Sequence, residues 1–149
     1  MDHLANSSAA AWIKKYYLAS REVMEASLRP YEIGSTQWYV LWALVNHGPR
    51  LQREFLDLLQ VEKSTLSEIV SALVRKGLIE QKPAPNDQRQ RLLTLSDAGR
   101  QLWEVLPDPL ELIVKTSFEG VSEADLETVV RVLQGATQRL NDLMEGMKQ

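Results

Sequence analysis

Val61-Glu62-Lys63-Ser64-Thr65-Leu66-Ser67-Glu68-Ile69-Val70-Ser71-Ala72-Leu73-Val74-Arg75-Lys76-Gly77-Leu78-Ile79 is the stretch on which the fold turns. Leu66, Ile69, Val70 and Leu73 recur at steps of three and four, the apolar row of a helix from about Lys63 to Lys76. The opposite face, Lys63, Ser64, Thr65, Ser67, Glu68 and Ser71, is short and polar and is left to solvent or a partner. Gly77 stops the helix as a left-handed cap, and Leu78 opens a strand-like run to Lys82.

Upstream of the turn Gln60-Val61-Glu62, residues 51–59 read as a short helix with Leu51, Phe55, Leu58 and Leu59 facing inward. Before it, Ser35 offers an N-cap hydroxyl to a helix running through Trp38, Leu41, Trp42, Leu44 and Val45, closed by Asn46-His47-Gly48-Pro49. A first helix fills Ala9 to Leu28 with a broad face that includes Trp12, Ile13, Tyr16 and Tyr17, and Arg29-Pro30 ends it.

Downstream, a second strand-like run, Arg91 to Leu95, pairs with the first across a loop at residues 83–90. Ser96-Asp97 caps a fifth helix that Pro107 and Pro109 interrupt before Leu110 to Phe118. Ser122-Glu123-Ala124-Asp125 then opens a long last helix. Along it Leu126, Val130, Leu133, Thr137, Leu140, Met144 and Met147 form a seam with a 3.5-residue period.

Helix, helix, turn, helix and hairpin is the order of a winged helix-turn-helix. The expected fold is therefore mainly α with a small β-hairpin wing. We assign residues 34–100 to the winged, DNA-binding lobe and residues 8–29 and 107–149 to terminal helices of a dimerisation region, in one chain of 149 residues. The seam and the aromatic first helix are more apolar than a lone lobe needs, which points to a homodimer.

Composition narrows the function. The net charge of −3 does not describe a polycation that coats nucleic acid, but the charge is uneven. Residues 50–100 carry nine basic and seven acidic side chains, while residues 101–149 carry four and nine. A mildly basic middle beside an acidic tail suits a DNA-reading module on a scaffold. The absence of Cys excludes disulfides and thiolate metal sites, and two histidines, His3 and His47, far apart, leave no histidine-rich metal site. No Gly-rich phosphate loop or nucleophile elbow is present, so neither an enzyme nor a cofactor is expected. The first residues lack a signal peptide's basic and apolar regions and no run of 18 apolar residues occurs, so the expected location is the cytoplasm, with no membrane partner.

The chemistry of reading depends on size. The major groove of B-DNA is about 12 Å wide and admits a helix whose outer face is small and polar. Ser64, Thr65, Ser67 and Ser71 let a backbone approach base edges, and Lys63 stands where it can reach a phosphate or a guanine. Arg89 and Arg91 of the hairpin, with Lys82 near its other end, can follow the minor groove or the phosphates, and Asp87 can hold the Arg89 guanidinium by a bidentate pair. A solvated helix face and a flexible loop would carry the same residues.

Four segments together resemble the MarR family of bacterial transcriptional regulators: Gln37-Trp38-Tyr39-Val40-Leu41-Trp42-Ala43-Leu44, the Val61–Ile79 stretch, the wing Asn86-Asp87-Gln88-Arg89, and Leu93-Thr94-Leu95-Ser96-Asp97-Ala98-Gly99-Arg100. The resemblance implies a homodimer with interlocked first and last helices and two lobes reading a pseudo-palindromic operator in double-stranded DNA, as a repressor. It implies Lys63, Ser64, Thr65 and Ser67 at the major groove, Arg89 in the minor groove, and Asp87 orienting it. Half-sites should lie about 10 base pairs apart. It also implies a cleft for a small aromatic effector, in segments where Trp12, Tyr16, Tyr31, Trp38 and Trp42 fall, with Arg21 or His47 to meet a carboxylate. Aromatic stripes at helical spacing equally serve as core.

The sequence departs from the family at Leu51, Leu56 and Gln60, where a capping Thr, a small residue and a glycine are common. These departures, with Glu62 beside the reading face, keep a rival reading open: a dimeric winged-helix module that binds protein and has no affinity for DNA.

Overall fold

The apolar spacing of the first helix is realised in a computed structural model describing residues 8–149, as α1 (Ala9–Leu28), with the Ser8 hydroxyl accepting from the Ala11 N–H. His3 and the chain start, read for a signal peptide, lie outside the described residues. The chain divides into two compact units, one ending at Ile113 and one beginning at Val114.

In the first unit, Arg29–Tyr31 forms a 3-10 turn with Pro30 in its first half, and α2 (Ser35–His47) succeeds it. The N-cap of α2 is Gly34, not Ser35. The Gly34 N–H is satisfied instead by the Gln37 side-chain oxygen at 3.2 Å, leaving Ser35 as the first helical residue. The same oxygen accepts from Lys76 Nζ at 2.9 Å, and Lys76 also donates to the Glu32 carbonyl. Residues 51–59 are not one helix. Strand β1 (Arg50–Leu51) and a 3-10 turn (Gln52–Glu54) precede a short α3 (Phe55–Leu59). Leu51 lacks a hydroxyl to cap the 3-10 turn, so the Glu54 carboxylate bends back to accept the Leu51 N–H at 2.8 Å. Phe55 is buried, whereas Leu58, expected to face inward, is exposed, because α3 is too short to bury a full stripe.

Gln60 takes the left-handed conformation at φ 53° that glycine usually supplies, and its side-chain amide donates to the Asp57 carbonyl at 2.7 Å. The turn thus keeps its shape without a glycine. Helix α4 (Lys63–Arg75) buries Leu66, Val70 and Leu73, and Gly77 continues beyond it at φ 74°.

The hairpin is longer than its prolines suggest: β2 (Ile79–Ala84) and β3 (Asp87–Leu95) leave only Pro85-Asn86 as the turn. The sheet order is β1-β3-β2, so β2 is an edge strand, and Pro83 sits there opposite Arg91 without breaking an inner ladder. Helix α5 (Asp97–Val105) is capped by the Ser96 hydroxyl, which accepts from the Gly99 N–H and donates to the Gly77 carbonyl. Gly99 is required there, since a Cβ would lie 2.1 Å from the Leu78 carbonyl oxygen. Leu106 turns extended before Pro107, and Asp108 caps α6 (Pro109–Phe118), which crosses into the second unit. The core of the first unit joins Leu28, Trp38, Leu41, Phe55, Val70, Leu73 and Leu93, contributed by five elements.

The second unit is dominated by α7 (Glu123–Met147), N-capped by Ser122. None of the residues of α7 is buried.

Candidate nucleic-acid interface

Burying Leu66, Val70 and Leu73 turns the other side of α4 outward, and Lys63, Ser64, Thr65, Ser67, Glu68 and Ser71 are all exposed. The N-cap of α4 is the Glu62 backbone with no side-chain cap, so the first N–H groups of the helix remain available for an anion.

An open groove of about 760 Å³ runs beside this face. Lys63 and Ser67 of α4, Arg89, Gln90 and Arg91 of β3, and Gln52 and Arg53 of the 3-10 turn line it. Of the residues named from sequence, the groove brings together Lys63, Ser67, Arg89 and Arg91. Ser64, Thr65 and Ser71 share the exposed side of α4 but do not line the groove, and Asp87 sits near the tip of the wing, directly after its turn. Four cations, Arg53, Lys63, Arg89 and Arg91, outnumber the carboxylates of Glu54 and Asp57, so the groove attracts polyanions although the whole chain is acidic.

Arg89 extends into solvent with its side chain 92% exposed. Asp87 Oδ1 accepts from both the Arg89 backbone N–H at 3.0 Å and Nε at 3.4 Å. A single oxygen makes both bonds, so the expected bidentate fork is replaced by a local turn that aims the side chain and leaves its terminal nitrogens for a ligand. Such an exposed pair orients more than it stabilises.

Gln52, Arg53 and Gln90 carry no local mark in the sequence, because the apolar spacing of residues 51–59 speaks only for their inward face. Arg53, a cation beside the reading helix, is the available signal. Gln81 of β2 donates to Gln52 at 2.7 Å and ties the wing to the 3-10 turn.

The aromatic residues separate. Trp38 is buried in the core, its ring 5.2 Å from Tyr39 and 5.4 Å from Trp103, with its Nε1–H lacking an acceptor. Burial raises the pKa of the Tyr39 hydroxyl above its ordinary value, and Tyr17 adds to the shift. Trp12, Tyr16 and Tyr31 are exposed, and Arg21 pairs with Glu25 at 3.1 Å. Trp42 lies edge-on to His47 at 5.4 Å. Among the described residues no group of three metal-ligating side chains occurs, and no described helix is long and apolar enough to cross a membrane.

A polar helix beside a basic hairpin on a helical core is a winged helix-turn-helix of the nucleic-acid-reading kind. The sequence profile of the MarR family matches residues 31–90, most of the winged lobe. The HTH-type transcriptional repressor IacR of Pseudomonas putida is 25% identical over 89% of this chain and 79% of its own. The repressor NicR of the same species is 23% identical over 82% and 77%. Among solved structures, Bordetella bronchiseptica BpsR, described as regulated in DNA binding by 6-hydroxynicotinic acid, superimposes with a TM-score of 0.76 at 20% identity, covering 89% of this chain and 94% of its own. A cysteine-to-serine variant of Escherichia coli MarR in complex with operator DNA gives 0.76 at 21% identity, covering 89% and 97%.

Proposed function

We propose that this chain is a sequence-specific, double-stranded DNA-binding transcriptional regulator, working as a repressor and as a homodimer on a pseudo-palindromic operator. The observation that carries the reading is the single groove in which Lys63 and Ser67 of α4 meet Arg89 and Arg91 of the wing. Lys63, Ser64, Thr65, Ser67 and Ser71 take the major groove, Arg89 and Arg91 take the minor groove or its phosphates, and Asp87 orients Arg89. Residues 34–100 form the reading lobe.

Support for the homodimer comes from exposed apolar surface. Helix α7 buries nothing, while Leu140, Leu143, Met144 and Met147 along it are each more than half exposed. On α1, Trp12 and Tyr17 are similarly bare. Stretches of this kind call for an apolar partner, and a second copy supplies the same surface in return. Residues 8–29 and 107–149 are therefore the dimerisation helices. A small aromatic effector, by analogy with BpsR, would act by favouring one spacing of the two lobes over the spacing that fits the operator. A reader of chromosomal DNA works in the cytoplasm.

A gel shift with the DNA upstream of the chain's own coding region, repeated at several salt concentrations, tests this reading. Specific binding that weakens steeply with salt supports it. No binding at low salt overturns it in favour of the protein-binding module.

A further inference from the structure

Beside its cations, the groove along α4 is edged by an uncharged side chain, Gln52, next to Arg53. The sheet order β1-β3-β2 puts Gln81 of β2 on one side of β3 and the 3-10 turn that follows β1 on the other, so the Gln81–Gln52 bond spans the middle strand. Gln81 stands opposite Leu93, and Arg91 lies two residues before Leu93 on the same face. The amide pair therefore braces the wing against the turn beside the strand that carries Arg91 into the groove. Backbone pairing of Arg50 with Leu93 and of Leu51 with Leu92 already joins these parts, so the fold does not depend on the side-chain bond.

A glutamine amide has one acceptor oxygen and two N–H donors. Gln81 Nε2 donates at 2.7 Å to Gln52 Oε1, which engages the acceptor of Gln52 and leaves its two N–H donors without a partner among the described residues. Glu54, on the same turn, is drawn back to the Leu51 N–H. An uncharged donor in a basic groove suits a phosphate oxygen: it fixes the register of the duplex and displaces no counterion. A free glutamine loses rotamer freedom when it binds, whereas this one is restrained beforehand.

We propose that Gln52 is a DNA-contact residue, donating to a backbone phosphate at the edge of the reading groove, and that Gln81 is a positioning residue that acts through it. The inference rests on the DNA-binding reading of the groove.

The test is binding of the full chain to the duplex upstream of its coding region, followed by fluorescence anisotropy at several salt concentrations. Gln52→Ala should weaken the complex about three- to tenfold, with the wild-type slope of log affinity against log salt, because no charge is removed. Gln81→Met keeps the length of the side chain and loses the bond; it should weaken the complex less, again at unchanged slope, and the double variant should match Gln52→Ala alone. Arg53→Ala, which takes a cation from the same edge, should instead flatten the slope by about one unit. Melting temperatures of Gln52→Ala and Gln81→Met should equal that of wild type. Wild-type affinity in Gln52→Ala overturns the contact, as does a change in sequence preference, which would make the contact a base. Losses that add in full in the double variant overturn the positioning role. So do Gln52 side-chain amide signals, in NMR spectra of the DNA-free chain, that stay in place in Gln81→Met. A wild-type chain that forms no specific complex removes the DNA reading and the contact with it, whereas a specific complex equally tight in wild type and Gln52→Ala removes the contact and leaves the reading.

Discussion

Helices α4 and α7 are both amphipathic and are built to opposite ends. In α4 the apolar row of Leu66, Val70 and Leu73 is consumed by the core, and what remains outside is hydroxyl and charge. In α7 the apolar seam itself remains outside, and no residue of the helix is buried. A bare polar face costs nothing in water and can wait for a polar ligand. A bare apolar seam is unfavourable until covered, at roughly 25 cal/mol per Å² of apolar surface. The difference separates a surface that binds on occasion from one that binds all the time.

The largest effect should come from removing the seam. A chain ending at Gly120 should lose its dimer and either aggregate or sediment as a monomer in analytical ultracentrifugation. A stable, soluble dimer from that truncation would erase the contrast between the two helices. Next, Gly99→Ala should destabilise the lobe by about 2–3 kcal/mol in thermal denaturation, because the added Cβ meets the Leu78 carbonyl, which is backbone and cannot swing aside. Unchanged stability there would mean that α5 does not pack as described.

Arg89→Ala separates binding from folding. Its side chain is almost wholly exposed, so stability should not change, while operator affinity should fall by about 1–3 kcal/mol and the salt dependence should become shallower. Equal affinity in gel shifts would remove the wing from the interface. The smallest effect is at Tyr39. Its raised pKa means the neutral phenol is favoured by the fold, so its contribution is intact below the ordinary tyrosine range and is lost as pH rises through the raised value. Wild type should therefore lose melting temperature in strongly alkaline buffer, and Tyr39→Phe should lose less; identical curves would show that Tyr39 ionises as freely folded as unfolded.

Much of the reading lobe was legible from its residues. The row Leu66, Ile69, Val70, Leu73 determines which side of α4 faces in, and so which hydroxyls face out, because a helix has only one such period. Gly77 and Ser96 announced their caps for equally local reasons. The failures have a common cause in non-local compensation. Pro83 did not end its strand because β2 lies at the edge of the sheet, a position no local pattern reveals. Leu51 and Gln60 kept the turn of the lobe through Glu54 and through a bond to the Asp57 carbonyl, replacing the usual Thr and Gly.

The candidate sites divide along the same line. Sequence marked Lys63, Ser67, Arg89 and Arg91 by residue type and spacing, but Arg53 and Gln52 joined them only through the tertiary path that folds the 3-10 turn beside the wing. Of two tryptophans in one helix, four positions apart, Trp38 went to the core and Trp42 to the edge of a cavity. Periodicity places a side chain on a face, and alternation and capping need only neighbours along the chain. Whether that face meets a core, a cavity or water depends on which distant elements pack against it, and only the folded chain decides that.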